Sequence, residues 1–157
     1  MIRKVKPEDK NNLENITNKI DIFSNEEKQV AIELFNDSIN NINSDYFTFV
    51  YEENEIILGY YVIGKRPLTD AVYDLYWIVV NPDEQNKGIG QKLLINAEEF
   101  VRKHNGRWML AETSSKTQYE ATRKFYFRNN YSIVSEIRDF YSIGDSLIVF
   151  GKYFQKG

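Results

Sequence analysis

Three strand-like segments in a row, closed by a proline and followed by a glycine pair and a helix, set the tightest limit on what this chain can fold into. Tyr46 to Glu52 is aromatic and β-branched, Glu52-Glu53-Asn54-Glu55 reads as a turn, and Ile56 to Gly64 returns as a second strand. Arg66-Pro67-Leu68-Thr69-Asp70 breaks the chain before Val72 to Val80, which stops at Asn81-Pro82. This pattern predicts a meander of antiparallel strands. Past Gly88-Ile89-Gly90, Ile89, Leu93, Ala97 and Phe100 recur on one helical stripe, with Leu94 and Val101 beside it. Asn105-Gly106 ends that helix.

The flanks complete the order. Ile2 to Lys6 alternates apolar and charged residues as a short strand does. Pro7-Glu8-Asp9 opens a helix with Leu13, Ile16 and Ile20 at helical spacing. Ser24-Asn25-Glu26-Glu27 opens a second, with Val30, Leu34 and Phe35 as its apolar face. Trp108 to Thr113 is a fifth strand and Thr117 to Asn129 a fourth helix. Ile133 to Phe140 and Leu147 to Phe154 form a hairpin around Gly144-Asp145. The expected order is β-α-α-β-β-β-α-β-α-β-β. It implies an α/β (α+β) domain over residues 1–157, its central mixed, mostly antiparallel twisted sheet of about seven strands flanked by four helices.

Several chemistries are excluded by composition. The chain has no cysteine and one histidine, His104, so thiolate and multi-histidine metal sites and a cysteine nucleophile are absent, and no metal is expected. A net charge of −3 argues against a nucleic-acid partner. Leu75 to Val80, the longest strongly apolar stretch, is far too short to span a bilayer. Met1 to Pro7 has no apolar leader core, so a cytoplasmic protein without a membrane partner is expected.

Chemistry concentrates in Val79-Val80-Asn81-Pro82-Asp83-Glu84-Gln85-Asn86-Lys87-Gly88-Ile89-Gly90. A buried strand runs through a short loop to a helix N-terminus, where unpaired N–H groups and a partial positive charge attract anions. Glycine lets a bulky anion approach that backbone. The phosphate loop Gly-x-x-x-x-Gly-Lys-Ser/Thr is absent from the chain, and the dinucleotide fingerprint fails at its third glycine, where Leu93 stands. A loop that merely contains glycines is the plain alternative.

Gln85-x-x-Gly88-x-Gly90, placed between a fourth strand and a third helix, resembles the acetyl-CoA motif of the GNAT superfamily of N-acetyltransferases. The likeness runs from Ile2 to Phe154 in element order. It implies that Ile78, Val79 and Val80 bind the pantetheine arm through their backbone. It also implies that Gln85, Asn86, Lys87, Gly88, Ile89, Gly90 and Gln91 hold the pyrophosphate. Phe125-Tyr126-Phe127-Arg128-Asn129-Asn130-Tyr131 is similar to a second family segment, whose tyrosine lies near the coenzyme sulfur and is matched here by Tyr126. Asn130 stands where glycine is usual, but asparagine tolerates the left-handed backbone of a helix end. Tyr119 occupies the place of a coenzyme-contacting asparagine.

The resemblance implies acetyl transfer to a primary amine of a small molecule or protein by direct attack in a ternary complex. Acetyl-CoA would be co-substrate, Tyr126 the donor to the departing sulfur, and Glu112 or Asp74 the base, unless a water chain serves. A non-catalytic acyl-CoA sensor of the same fold is the rival from another class, and a homodimer is open to either. His104, at a helix end, reads as a partner of the helix dipole.

Overall fold

The computed structural model describes residues 1–155; residues 156 and 157, included in the expected domain, lie outside the described residues. Seven strands form one sheet in the order β1-β2-β3-β4-β5-β7-β6. They are β1 (Ile2–Lys4), β2 (Tyr46–Glu53), β3 (Ile56–Lys65), β4 (Val72–Val80), β5 (Trp108–Ser114), β6 (Ser132–Ser142) and β7 (Asp145–Tyr153). Every neighbour pair is antiparallel except β4 with β5. The four helices are α1 (Lys10–Asn18), α2 (Asn25–Asn40), α3 (Ile89–Lys103) and α4 (Glu120–Arg128), in the order expected.

Local chemistry accounts for most boundaries. Ser24 caps α2 reciprocally: its Oγ accepts from the Glu27 N–H at 3.1 Å, and Glu27 Oε1 accepts from the Ser24 N–H at 3.2 Å. The β2–β3 hairpin turns on Asn54 and Glu55, both left-handed at φ 52° and 66°, as a two-residue turn of primed type requires. Both α3 and α4 end in the same way. Asn105 (φ 56°) and Asn130 (φ 69°) are left-handed. The Gly106 N–H then reaches Val101 O at 2.8 Å, and the Tyr131 N–H reaches Tyr126 O at 3.0 Å. Asparagine does at 130 what glycine usually does.

Several sequence expectations shift. The segments opening at Pro7 and Thr117 begin as 3-10 turns, Pro7–Asp9 and Thr117–Tyr119, before α1 and α4 proper. β1 is shorter than expected, stopping at Lys4, and β6 longer. Val30 is 47% exposed, because the face that α2 buries is carried by Ala31 and Phe35, one helical turn apart. Glu52 lies in β2 as expected, which runs one residue further to Glu53, and its carboxylate accepts from Arg3 Nε and Nη2 at 3.2 and 3.1 Å.

Two cores sandwich the sheet. β3 is a nearly continuous apolar run because both its faces are covered. Strand alternation sends adjacent tyrosines opposite ways. Tyr60 enters the core beneath α1 and α2, with its hydroxyl 2.6 Å from Thr17 Oγ1. Tyr61 enters the core beneath α3, donating to Asn96 Oδ1 at 2.6 Å. His104 caps α3 with Nδ1 2.8 Å from Phe100 O and its ring stacked on Phe100, a structural place.

Candidate active site

A gap in the sheet organises the site. β4 and β5 pair only where Val72, Tyr73 and Asp74 meet Trp108, Met109 and Leu110. Beyond that point β4 follows β3, with a bulge between its partners Leu75 and Trp77, while β5 follows β7 as far as Ser114. A bulge bends the strand that carries it. The edge of β4 from Leu75 to Val80 that faces β5 is therefore left without a strand partner, and Ile78, Val79 and Val80 lie on it.

The mouth of this gap is a run of backbone donors. Among the described residues, no acceptor takes any N–H group from Gln85 to Gln91. Gly88 is left-handed at φ 81° and caps α3. Consecutive amides turned by left-handed residues, here Asn86 (φ 64°) and Gly88, make an anion-binding concavity at the positive end of a helix. Lys87 sits in the loop, its Nζ 2.7 Å from Glu84 Oε2, which raises its pKa. Packing joins the loop to its neighbours: a Cβ on Gly90 would lie 3.5 Å from the Phe125 ring and 3.7 Å from Val80 Cγ2. Gln91 Nε2 also donates to Asn129 Oδ1 at 3.2 Å, tying the start of α3 to the end of α4.

The two glycines therefore differ in what they require. A methyl at Gly88 meets nothing within 4 Å, so Gly88→Ala carries only the backbone penalty of a left-handed residue, about 1–2 kcal/mol. The expected Tm loss is about 2–8 °C. Gly90→Ala makes ordinary contacts and is expected to leave Tm within about 1–2 °C. Calorimetry of the two variants side by side checks the ordering, and equal losses would contradict it.

Tyr126 lies next to Phe125, whose ring packs near Gly90; it is 4% exposed, its ring stacked on Phe150 at 5.3 Å and edge-on to Tyr131 at 5.5 Å. Burial pushes the Tyr126 pKa up, with no hydrogen bond to its hydroxyl among the described residues. The carboxylates lie on the other face, because Tyr73 and Leu75 point into the α3 core and Asp74 alternates away from them. Arg66 grips Asp74 with Nε at 3.1 and 3.0 Å and Nη2 at 2.8 Å, and Nη2 is 3.6 Å from Glu112 Oε2. The Asp74 hydrogen bonds raise the Arg66 pKa. Both Asp74 oxygens are thus engaged, whereas the Glu112 side chain is 47% exposed with one long ion pair. Tyr76 borders this cluster, its pKa pushed up to about 12 by burial and then by Asp74.

Tyr119 stands at the edge of the site. Its hydroxyl donates to Glu27 Oε2 at 2.7 Å, beside Ile22 O at 3.2 Å, bridging to the start of α2. Burial and Glu27 raise its pKa. The sequence alone did not single out two members of this arrangement, Arg66 and Glu27. Arg66 read as part of a chain break and Glu27 as a capping residue; only the fold brings them to Asp74 and Tyr119.

Known proteins share this fold. An acetyltransferase (GNAT) domain family model matches residues 44–133. A GNAT-family protein from Desulfovibrio desulfuricans is 33% identical, with 98% of each chain covered and a TM-score of 0.92. Two more distant structures share the fold. An aminoglycoside 6'-N-acetyltransferase complexed with coenzyme A is 14% identical, with 100% of this chain and 99% of that chain covered and a TM-score of 0.78. The ribosomal-protein-S18-alanine N-acetyltransferase from Escherichia coli is 18% identical over 100% of this chain and 95% of its own, with a TM-score of 0.78. No curated protein sequence gives a significant match. The chain belongs to the GNAT acetyltransferase family, and it is a transferase.

Proposed function

We propose that residues 1–157 act as one acetyl-CoA-dependent N-acetyltransferase domain that moves an acetyl group to a primary amine of a small molecule or protein. The observation that carries this reading is the unpaired amide run from Gln85 to Gln91 at the mouth of the β4–β5 gap. Seven N–H groups without acceptors among the described residues suit a ligand with several anionic oxygens. The coenzyme's pyrophosphate has that character, and the free β4 edge at Ile78 to Val80 suits the amides of its pantetheine arm. Tyr119, whose hydroxyl Glu27 holds, can offer the coenzyme only its ring.

The chemistry is direct attack in a ternary complex. A lysine-like amine has a pKa near 10.4, so at pH 7 roughly 1 in 2,500 molecules is neutral and able to attack. Glu112, the freer carboxylate, takes the ammonium proton, directly or through water. The C–N bond forms, the C–S bond breaks, and the β4 edge donates to the developing oxyanion. Tyr126 gives its proton to the leaving sulfur and recovers one from the amine nitrogen through solvent. The balance is one ammonium and one thioester giving one amide, one thiol and one released proton.

Asp74 has a different part: with both oxygens on Arg66 it positions that guanidinium, and through it Glu112. Glu112→Gln is expected to lower kcat/KM about 100-fold at pH 7 and to lose less at pH 9, where more of the amine is neutral. Asp74→Asn is expected to lower Tm as well as rate, because Arg66 loses its partner. An unchanged pH 7 rate in Glu112→Gln would hand the base role to water.

Calorimetric titration of the protein with acetyl-CoA, coenzyme A and ATP in parallel tests the reading as a whole. Selective binding of both coenzyme forms is expected, followed by thiol release with an amine panel. Equal binding of ATP, or none of the three, defeats it. Coenzyme binding with no amine ever consumed would leave a sensor in place of an enzyme.

A further inference from the structure

Glu98 is a carboxylate in a helix face otherwise made of Leu93, Leu94, Ala97 and Val101, and nothing in the chemistry above calls for it. It is 7% exposed. Its Oε2 accepts from the Tyr131 hydroxyl at 2.7 Å and from Lys152 Nζ at 2.9 Å, while Arg102 Nη2 stands 4.0 Å from Oε1. One carboxylate thus joins α3 to β7 and to the residue that precedes β6. Lys152 Nζ also lies over the Tyr131 ring, 4.7 Å from its centre. A buried cluster of this kind is weak support for stability by itself, because removing charges from water offsets much of their attraction. Apolar side chains of similar size would pack there as well. What the cluster adds is a fixed place for Tyr131.

We propose that Glu98 is a positioning residue for Tyr126, acting through Tyr131; the inference rests on the reading of Tyr126 as proton donor. The Tyr126 hydroxyl makes no hydrogen bond among the described residues, so the walls around its ring set its direction. Phe150 forms one wall, stacked at 5.3 Å, and Tyr131 another, edge-on at 5.5 Å. Tyr131 is 3% exposed and is pinned at both ends. Its N–H donates to Tyr126 O at 3.0 Å, just past the left-handed Asn130, and its hydroxyl is held by Glu98. Burial, and then the Glu98 charge, raise the Tyr131 pKa, so the hydroxyl keeps its proton and stays the donor in that bond. A phenylalanine at 131 would fill the same space, but nothing would tie its ring to α3. That tie matters because α3 opens at the unpaired amides proposed to hold the coenzyme. The donor and the thioester sulfur are thereby referred to one rigid helix.

A mutant cycle tests this, with kcat and KM measured on acetyl-CoA and the panel amine the wild type consumes fastest, and coenzyme A binding by calorimetry. Tyr131→Phe is expected to lower kcat about 10-fold, with amine KM and the coenzyme A dissociation constant held within about 2-fold. Glu98→Met keeps the bulk without the acceptor and should lose kcat to the same degree. Combining it with Tyr131→Phe should cost no more than either alone, since both break one bond. Glu98→Gln keeps an oxygen for the Tyr131 hydroxyl and should recover most of what Glu98→Met loses, although Lys152 loses its charge partner and Tm falls. In a Tyr126→Phe background, Tyr131→Phe should lower kcat no further. A merely structural role would lower Tm and leave kcat intact well below it. Wild-type kcat in Tyr131→Phe therefore overturns the proposal, and so does an equal loss with and without the Tyr126 hydroxyl. If Tyr126→Phe turns over like wild type, or the wild type consumes no amine, the parent reading fails and this inference with it.

Discussion

Tyr126→Phe is expected to reduce kcat by about 100-fold or more while leaving the dissociation constant for acetyl-CoA nearly unchanged, because it removes one proton donor and no binding surface. Stability should not fall. The hydroxyl makes no hydrogen bond among the described residues, so its removal costs little and Tm should stay level. A residue there only for packing would behave the other way, since the phenyl ring keeps every ring contact and the rate would not change. The pH profile adds a second reading. Burial raises the phenol pKa, so Tyr126 stays protonated throughout the working range and the wild-type rate should show no alkaline loss from this group. The acid limb should remain, because falling pH holds more of the acceptor amine as unreactive ammonium. An alkaline inflection near pH 10 that disappears in the Phe variant would mean that Tyr126 meets solvent and that its environment has been misread.

How far the sequence reaches depends on the range of the interactions involved. The Ser24–Glu27 cap, the left-handed Asn130 and the unpaired amides from Gln85 to Gly90 are each decided within a few residues, by which side chains cap, which backbones tolerate positive φ and where helix amides go unpaired. All three were legible. Element order was legible for the same reason, since strand and helix periods are local. The splitting of the sheet was not. It depends on β4 leaving β5 after Asp74, a decision made by the bulge opposite Val62 and Ile63 and by β5 keeping to β7. The carboxylate pair was visible as two acids on two central strands, but what separates them is Arg66, which reaches one with three contacts and the other with one. Nothing in the spacing of 66, 74 and 112 announces that grip. Val30 shows the same limit in small: which stripe of α2 faces the sheet is settled by the fit of Ala31 and Phe35.

Phe150→Ala is expected to be the most damaging single change in the core. Its ring is fully buried on β7, stacked on Tyr126 at 5.3 Å and edge-on to Phe127 at 5.0 Å, so it is the contact through which α4 rests on the sheet. Deleting a buried phenyl costs about 3–5 kcal/mol, the transfer of the ring plus the cavity left behind. For a chain of this length that is a Tm loss of about 6–20 °C. Activity should fall further than the folded fraction explains, even well below the new Tm, because the cavity opens directly against Tyr126 and the ring can tilt off its line to the gap. Phe150→Leu refills much of the space, so it should recover most of the Tm but only part of kcat, the flat stacking surface being lost. Thermal unfolding and kcat measured on the same three proteins separate the two effects. If Phe150→Leu restores rate as fully as stability, the stacked ring does not orient Tyr126, and the position of the proton donor must be set instead by Tyr131, whose hydroxyl is held by Glu98 at 2.7 Å and whose N–H returns to the Tyr126 carbonyl.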